Sequence, residues 1–216
     1  MNVITKHPRI NSQDYHNPCG AKQDNHSNEV YIKEICQLFN NAPFSYLDLG
    51  CAGGQSVIDI AQKGYVSAGI DGCGKDRILE VSTSEGVTNN WTRYSDKNLF
   101  SADISQPFRI VDENNQAIKF DLITAWDFLE HPTQDEIPQV ISNIKGHLSQ
   151  DGWFICLIAK SEAIWHQCVK TDQWWIESFT SRGFDLKKIP ITSNPRTELI
   201  KPNREEFVGA FKLCQP

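Results

Sequence analysis

One stretch decides the fold of this chain: residues 46–54, which read YLDLGCAGG. An apolar run that ends near an acidic residue is typical of a buried parallel strand. Three glycines then crowd a turn, and residues 55–61 can continue as a helix. A strand, a tight glycine turn and a helix N-terminus together form a site for an anionic or nucleotide-like ligand, because a Cβ would hold the ligand away from the backbone amides.

Acidic residues mark the ends of the strands that follow. A second strand is predicted over residues 65–70 and is followed by Asp71, which lies ~20 residues beyond the glycine turn, where such folds place the acid that accepts ribose hydroxyls. A third predicted strand, residues 99–104, carries Asp103 near its end. Ligands of α/β sheets bind off the carboxyl ends of strands, so Asp48, Asp71 and Asp103 are expected to meet at one crevice. A single aspartate at such a place is more often a helix cap or a turn former.

Two motifs carry a resemblance to a known family. Asp48 stands two residues before the first glycine, which gives Asp-x-Gly-x-Ala-x-Gly instead of the dinucleotide-binding Gly-x-Gly-x-x-Gly. Downstream, residues 120–123 read FDLI and residues 127–131 read DFLEH, around a fourth predicted strand. The two stretches resemble the first and fourth motifs of class I S-adenosylmethionine-dependent methyltransferases, with Ala52 in place of the middle glycine of the strict pattern. The resemblance covers roughly residues 44–213.

The resemblance implies the fold and the cofactor. We expect an α/β, Rossmann-like doubly wound seven-stranded sheet, mostly parallel with an antiparallel last strand, and helices on both faces. S-adenosylmethionine would be the cofactor and S-adenosylhomocysteine its product. The domain would span residues 28–216. It would be preceded by an N-terminal arm or lid, residues 1–27, whose polar composition predicts an irregular conformation. A helix is expected over residues 28–40 with Ser27 as its N-cap, and the last two strands over residues 184–192 and 206–213.

The resemblance also assigns the cofactor-binding residues. Asp71 would accept the ribose hydroxyls, Asp103 would hold the adenine amine, and the backbone amide of Ile104 would meet a ring nitrogen. The full set of expected cofactor-binding residues is Asp48, Gly50, Cys51, Ala52, Gly54, Asp71, Gly72, Asp103, Ile104, Trp126 and Asp127.

Two histidines are placed near the crevice. His131 follows Glu130 after the fourth strand, and His166 follows a fifth predicted strand, residues 153–159. We predict that His131 is the general base for a hydroxyl acceptor, because an unperturbed histidine titrates near ~6.5, and that His166 is the alternative or a partner that orients the acceptor. A packing or surface role is the other interpretation of each. No Asp-Asp or Asp-Asn pair follows the fifth strand, where residues 159–161 read AKS, so we expect a metal-independent enzyme.

The sequence says less about the acceptor. No Asn-Pro-Pro-Tyr or Pro-Cys motif follows the fourth strand, which disfavours amino-methylation of adenine or glutamine and cytosine-5 methylation. We expect a small-molecule or sugar-like (glycan) acceptor, more often methylated at oxygen than at nitrogen. A methyltransferase-like cofactor-binding module without turnover and a nucleotide-cofactor oxidoreductase are the alternatives. Four tryptophans could line a pocket for a sugar or a planar ring, although tryptophans on helices are more often core: Trp126, Trp165, Trp174 and Trp175.

Composition limits the partners and the compartment. A formal net charge of −6 gives no general attraction to nucleic acid. No run of ~20 apolar residues is present and the N-terminal residues lack a signal-peptide pattern, so we expect no membrane partner. Seven cysteines without a Cys-x-x-Cys pair favour reduced thiols and a cytoplasmic protein. We expect a monomer or homodimer, with Tyr15, His16 and Lys22 in the lid; a partly ordered tail is the alternative.

Overall fold

Nine strands and five helices make up the part of the chain that the computed structural model describes, namely residues 1–10, 27–73, 90–195 and 206–215. The strands are β1 (Asn2–Thr5), β2 (Ser45–Leu49), β3 (Val66–Asp71), β4 (Leu99–Ser101), β5 (Phe108–Val111), β6 (Phe120–Trp126), β7 (Leu148–Ala159), β8 (Phe184–Lys187) and β9 (Glu206–Leu213). The helices are α1 (Glu29–Leu38), α2 (Gln55–Gln62), α3 (Trp91–Tyr94), α4 (Ile137–His147) and α5 (Asp172–Thr180).

Seven of these strands form one sheet in the order β4-β3-β2-β6-β7-β9-β8. The five strands from β4 to β7 are parallel, and β9 runs antiparallel to both β7 and β8. From β2 the chain winds outward through β3 to β4, and from β6 it winds the other way. The strand order therefore reverses between β2 and β6, where open α/β sheets bind their ligands. This topology confirms the predicted Rossmann-like sheet, with β9 as the antiparallel last strand.

Side chains of the central strands alternate between two buried clusters, one on each face of the sheet. Tyr46 and Leu122 belong to the cluster that includes α1 and α2, whereas Leu47 and Ile123 belong to the cluster that includes α4 and α5. Helices therefore cover both faces, as predicted. Because both faces are buried, the central strands carry near-continuous apolar runs, which made them recognisable from sequence.

The N-terminal arm begins with a strand, so the prediction of an irregular arm was wrong for its first residues. Strand β1 pairs antiparallel with β5, in register from Asn2 opposite Val111 to Thr5 opposite Phe108. Strand β5 is not part of the seven-stranded sheet, and β1 supplies partners for its backbone hydrogen-bonding groups. Four residues are too few to predict a strand by themselves. The partner strand lies about 100 residues away in the sequence, so no local pattern indicates the pairing.

The arm then runs along the carboxyl ends of β3 and β4. The amide of Asp103 donates to the carbonyl of His7 at 2.8 Å, and the amide of Ile10 donates to the carbonyl of Gly72 at 2.8 Å. The described part of the arm thus reaches the edge of the sheet where the ligand crevice was predicted. Three residues predicted for the lid lie outside the described residues: Tyr15, His16 and Lys22.

Several predicted boundaries were wrong. Strand β8 ends at Lys187 instead of residue 192, and β7 begins at Leu148 instead of residue 153. Two further errors involve the ends of α1 and β4. Helix α1 is capped by Asn28, whose side-chain oxygen accepts from the amides of Val30 and Tyr31; Ser27 instead donates to a carboxylate oxygen of Asp59. Strand β4 ends at Ser101, two residues before Asp103. Both errors concern polar residues at element ends, where neighbouring cap formers compete and boundaries are set by tertiary contacts.

His147, at the end of α4, is a structural histidine. Its Nε2 accepts a hydrogen bond from the amide of Ile110 in β5 (3.1 Å), and its Nδ1 donates to the carbonyl of Asn143 (2.7 Å). The ring is stacked on Phe108 and is only 4% exposed. Burial, with a smaller contribution from Lys119, lowers the pKa of His147. The folded protein therefore holds the neutral tautomer, and protonation at Nε2 would break the bond to Ile110.

We expect His147 to weaken the folded state in mild acid. The pKa of His147 is lower in the folded than in the unfolded chain. Its destabilising contribution to the free energy of unfolding is therefore absent above the ordinary pKa of ~6.5 and grows as the pH falls below that value. Relative to His147→Gln, the parent should lose up to about 1.4 kcal/mol of unfolding free energy per pH unit in that interval. Urea titrations between pH 7.5 and 5 measure the difference in slope. The exposed His7→Gln variant is the control, and parallel curves for parent and His147→Gln would contradict the assignment.

Candidate active site at the carboxyl ends of the strands

The turn between β2 and α2 passes through three left-handed residues. Gly50, Ala52 and Gly54 have φ angles of 73°, 50° and 76°. A Cβ on Gly50 would lie 2.8 Å from the Cβ of Phe128, and one on Gly54 would lie 2.4 Å from a methyl carbon of Leu99, so side chains cannot be added there. Ala52 adopts the left-handed region at a cost of roughly 1–2 kcal/mol, which explains why the strict family pattern has glycine at this position.

Strand β3 holds the turn from one side. The carbonyl of Ile70 accepts hydrogen bonds from the amides of Gly50 (2.9 Å) and Cys51 (3.1 Å). The Cys51 side chain lies over Gly69, where an added Cβ would come within 2.7 Å of its sulfur. Burial raises the pKa of the Cys51 thiol well above its ordinary value. Cys51 is therefore a packing residue of the turn with little thiolate character.

The start of helix α3 supplies a second support for the glycine turn. Trp91 is fully buried, and its indole nitrogen donates to the carbonyl of Ala52 at 2.8 Å. The side-chain amide of Asn90 donates to the carbonyl of Gly53 (3.1 Å) and to the side-chain oxygen of Gln55 (3.0 Å). The Asn90–Trp91 pair thus fixes the two carbonyls at the centre of the turn.

Asp71 ends β3 directly beside this turn. One carboxylate oxygen accepts from the amide of Ala52 at 3.0 Å, and the other accepts from the amide of Cys73 at 2.8 Å. The side chain is 8% exposed. A carboxylate has about four lone-pair positions, so it can accept from more than two donors. Gly72 follows immediately and contacts Ile10 of the arm.

Asp103 and Ile104 lie on the far side of β3, beyond the end of β4. One carboxylate oxygen of Asp103 accepts from both the amide (2.9 Å) and the hydroxyl (2.6 Å) of Ser105. The carbonyl of Ile104 accepts from the side chain of Asn143, whereas its amide makes no hydrogen bond with any residue that the structure describes. Asp103 therefore makes the contacts of a turn-forming residue, which was the alternative interpretation. The amide of Ile104 can donate a hydrogen bond to a ligand atom.

Asp48 lies beneath the turn within a buried polar network. Its two oxygens accept from the hydroxyl of Thr124 (2.7 Å) and from that of Ser56 (3.2 Å). Thr124 is also within 2.9 Å of the hydroxyl of Tyr46. The carboxylate links β2, β6 and the first turn of α2, the three elements that meet at the switch point.

Trp126 ends β6 on the same face as this network. Its indole nitrogen donates to the hydroxyl of Tyr31 at 3.3 Å, and the two rings meet edge to face with centroids 5.7 Å apart. Burial, reinforced by the charge of Asp48, raises the pKa of Tyr31, so this tyrosine stays protonated. Asp127 follows with a φ of 49°, and its amide donates to the carbonyl of Leu157 in β7.

This edge of the sheet has the donors and acceptors that a nucleoside cofactor requires. Buried carboxylates at Asp71 and Asp103 can accept from hydroxyl and amine groups, and the amide of Ile104 can donate to a ring nitrogen. The residues present therefore fit the expected cofactor at the side of the crevice formed by β3 and β4.

The other side of the crevice, after β6, contains a buried acid. Glu130 is 0% exposed; one side-chain oxygen accepts from the amide of Ala159 at 3.3 Å, and Oε2 has no hydrogen-bond partner among the described residues. The backbone carbonyl of Glu130 accepts from the amides of Gln167 and Cys168. Burial raises the pKa of Glu130 to about 7, and the charge of Asp127 adds to the rise, whereas the charge of His131 opposes it.

The structure brings both predicted catalytic histidines to this acid. The rings of His131 and His166 meet edge to face with centroids 5.4 Å apart. One potential ligand atom each of Glu130, His131 and His166 lies within 4.8 Å of the other two. His166 Nδ1 lies 2.7 Å from the carbonyl of Ser161, which can only accept, so Nδ1 carries the proton and Nε2 offers a lone pair. Both rings are partly exposed, as contact with an acceptor requires.

Two of the four tryptophans lie in the core, and the other two, Trp165 and Trp174, are partly exposed. Trp175 and Trp126 are buried, at 0% and 5% exposure, which is the core interpretation. Trp174 lies across Trp175 and carries Lys170 over its ring at 5.7 Å. Trp174 also lines a cavity of ≈ 700 Å³ beyond the end of β7, together with Lys160, Val169, Lys170, Thr171 and Asp172.

The geometry agrees with what comparisons with known proteins find. A sequence model of the family described as methyltransferase domain matches residues 23–189 of the chain. The chain belongs to the methyltransferase domain family. This assignment confirms the predicted activity, that of an S-adenosylmethionine-dependent methyltransferase. No curated protein sequence matches the chain.

Solved structures of methyltransferases share the fold. An S-adenosylmethionine-dependent methyltransferase from Clostridium acetobutylicum is 15% identical over 87% of this chain and 92% of its own, with a TM-score of 0.58. The glycopeptide N-methyltransferase MtfA, complexed with S-adenosylmethionine, is 10% identical over 87% of this chain and 95% of its own, with a TM-score of 0.56. The mitomycin 7-O-methyltransferase MmcR is 11% identical over 86% of this chain and 54% of its own, with a TM-score of 0.52.

Sequence reasoning missed two contributors to this candidate site. Asn90 and Trp91 lie in a polar stretch for which no element was predicted. A large aromatic residue among polar neighbours indicates that its side chain is buried, but it does not indicate which groups the side chain contacts. Glu130 was considered only as a partner of His131. Its position after the apolar Phe128 and Leu129 hinted at burial, but the contact with β7 is not visible in the sequence.

We expect the Trp91 indole to be required for the turn. Trp91→Phe keeps most of the buried ring but leaves the carbonyl of Ala52 without its donor, which should cost about 1–3 kcal/mol of unfolding free energy. Urea denaturation of parent and variant measures this loss. Trp153→Phe, at a partly exposed tryptophan of β7, is the matched control and should change stability by less. Equal losses of unfolding free energy in the two variants would show that the Trp91 hydrogen bond does not stabilise the turn.

Proposed function

We propose that this methyltransferase moves a methyl group from S-adenosylmethionine to an oxygen of a small-molecule or sugar-like acceptor. The observation that carries the proposal is the meeting of Glu130, His131 and His166 at the end of β6, across the crevice from Asp71 and Asp103. An oxygen acceptor needs its proton removed, and this side of the crevice offers imidazoles with which to remove it.

We propose the cofactor contacts residue by residue. Asp71 accepts the ribose hydroxyls, Asp103 holds the adenine amine, and the amide of Ile104 donates to a ring nitrogen. The turn at residues 50–54 lies against the methionine end, supported from below by Asp48. Trp126, Asp127 and Gly72 complete the predicted set. The described contacts of residues 7–10 with the ends of β3 and β4 support a covering role for the arm.

The chain's own part in the reaction is alignment, exclusion of water and proton removal. When bound, S-adenosylmethionine supplies an activated methyl group, and its sulfur keeps the electron pair of the broken sulfur–carbon bond. Alignment of the acceptor oxygen with that bond can supply roughly 7–11 kcal/mol. His131 accepts the proton of the acceptor O–H bond as the oxygen forms its bond to the methyl carbon. His166, whose Nε2 offers a lone pair, orients the acceptor or exchanges roles with His131.

The nature of similar proteins supports a small substrate. MtfA and MmcR, which share the fold, are named for a glycopeptide and a mitomycin acceptor, respectively. Ile164 is 83% exposed in the segment that carries His166, and an apolar side chain displayed there suits contact with an organic acceptor.

The remaining expectations about the protein are proposals of the same kind. We propose a cytoplasmic monomer or homodimer that has no nucleic-acid or membrane partner, with the methyltransferase domain spanning residues 28–216. None of the helices in the described ranges has the length and apolar character that crossing a bilayer requires. All six cysteines in those ranges are free thiols.

We expect Asp71→Ala to weaken cofactor binding by ~10-fold or more. The substitution removes charge-assisted hydrogen bonds worth roughly 1.5–3 kcal/mol and frees the amide of Ala52. Calorimetry with S-adenosylhomocysteine measures the change. As a control, Asp59→Ala removes a carboxylate that is not among the proposed cofactor contacts, and it should leave the affinity unchanged. If the folded Asp71→Ala variant kept the parent's affinity, the cofactor would lie elsewhere.

The proposed function is tested by following a labelled methyl group. Parent protein incubated with methyl-labelled S-adenosylmethionine and a metabolite extract should transfer the label to a hydroxyl oxygen of a small molecule, identified by mass spectrometry. His131→Ala should then lower turnover by about 10²–10⁴-fold while the affinity for S-adenosylhomocysteine is retained, and His166→Ala reports whether the roles are reversed. The exposed Glu162→Ala variant, on the same segment as His166, is the control. Label on an amine would refute oxygen transfer, and cofactor binding without any labelled product would indicate a module without turnover.

A further inference from the structure

The three side chains opposite the cofactor edge have the composition of a metal site. Each of Glu130, His131 and His166 offers one ligand atom, and these atoms lie within 4.8 Å of one another. Ligands bound at ~2.1 Å to one cation lie about 3.0–3.4 Å apart, so inward rotation of the two partly exposed rings by on the order of 1 Å completes the arrangement. We propose that Glu130, His131 and His166 form a binding site for a divalent transition-metal cation.

The buried carboxylate is the strongest observation for this site. Glu130 is fully buried, and its Oε2 has no hydrogen-bond partner among the described residues. A buried polar atom without a hydrogen-bond partner destabilises the folded state by about 1–3 kcal/mol, and a ligand bound to Oε2 would offset that loss. The other carboxylate oxygen is fixed by the amide of Ala159, so a cation can approach Oε2 without disturbing that contact.

The contacts around the three residues are those of a prepared metal site. His166 donates its Nδ1 proton to the carbonyl of Ser161, which points the unprotonated Nε2 away from the backbone. Metal-binding histidines make this contact to a carbonyl or carboxylate almost without exception. The segment is pinned to Glu130 by the amides of Gln167 and Cys168, and the Gln167 side chain donates to the carbonyl of His131 at 2.9 Å. The two ligand-bearing segments are thereby tied together.

The donor set identifies the class of cation. Two imidazoles and one carboxylate suit Zn²⁺, Mn²⁺ or Fe²⁺, whereas Mg²⁺ prefers oxygen ligands alone. Three protein ligands leave coordination positions open, as in catalytic sites. The expectation of a metal-independent enzyme rested on the absence of an Asp-Asp or Asp-Asn pair after the fifth strand; this site uses other residues.

The chemical consequence of the cation rests on the proposed function, although cation binding itself does not. With the cation bound, the imidazole lone pairs are occupied. An acceptor hydroxyl at an open position then loses its proton to solvent, because the cation lowers the pKa of that hydroxyl. The resulting oxygen lone pair attacks the methyl carbon as the sulfur–carbon bond breaks. Without the cation, His131 takes the proton as described above.

Titration calorimetry of the chelator-treated full chain with ZnCl₂ alone tests the site. The parent should bind one equivalent, and MgCl₂ should bind more weakly. His166→Ala and Glu130→Gln should each lose at least about 10–100-fold in Zn²⁺ affinity, the loss known for second-shell partners of a metal and a lower bound for its direct ligands. Glu162→Gln, an exposed acid on the same segment, is the matched control and should bind as the parent does. Circular dichroism checks the folding of each variant; because His166 lies on a partly exposed segment, His166→Ala keeps the test valid if Glu130→Gln does not fold.

The outcomes separate this inference from the proposed function. Absence of Zn²⁺ binding by the parent, or unchanged affinity in folded His166→Ala, would overturn the metal site, and transfer of label to a hydroxyl would then leave the proposed function standing. Zn²⁺ binding that is lost with His166 would establish the site even if the labelled methyl group never reached an oxygen, in which case the proposed function alone would fail.

Discussion

The proposed cofactor edge depends on one constraint: the left-handed turn between β2 and α2 is held in place by residues outside the turn. Its amides bond to the carbonyl of Ile70 and the carboxylate of Asp71, and its carbonyls bond to Asn90 and Trp91. The turn includes an alanine at positive φ, a conformation that persists only where the surroundings over-determine it. Strand β3 and the Asn90–Trp91 pair provide those surroundings, so the ligand site is formed by tertiary contacts as much as by its glycines.

The acceptor side is organised by Glu130 in a comparable way. Its carbonyl fixes the amides of Gln167 and Cys168, and its side chain reaches the last residue of β7. One residue thus joins the loop after β6 to the segment after β7, and each of these carries one of the two histidines. The backbone contacts of residue 130 therefore help to set the distance between His131 and His166, and a substitution of its side chain leaves those contacts in place.

Much of the fold could be predicted because the strands of a sheet buried on both faces are apolar throughout, and because Asp48 and the glycine turn identify the first strand-to-helix connection. Both histidines could be placed because each follows a recognisable strand. The pairing of β1 with β5 could not be predicted, since it joins short segments about 100 residues apart. The role of Trp91 and the burial of Glu130 depend on which distant backbone groups they meet, and local sequence patterns do not encode those contacts.

The β1–β5 pair has a consequence for biosynthesis. Strand β1 is synthesised before the other described strands, yet its partner, Phe108–Val111, is made about 100 residues later. The arm therefore stays unpaired while β2, β3 and β4 are made, and its strand can pair only after residue 111 has been synthesised. By then the residues that hold the glycine turn, up to Trp91, are already present, whereas the strands on the other side of β2 are still to come.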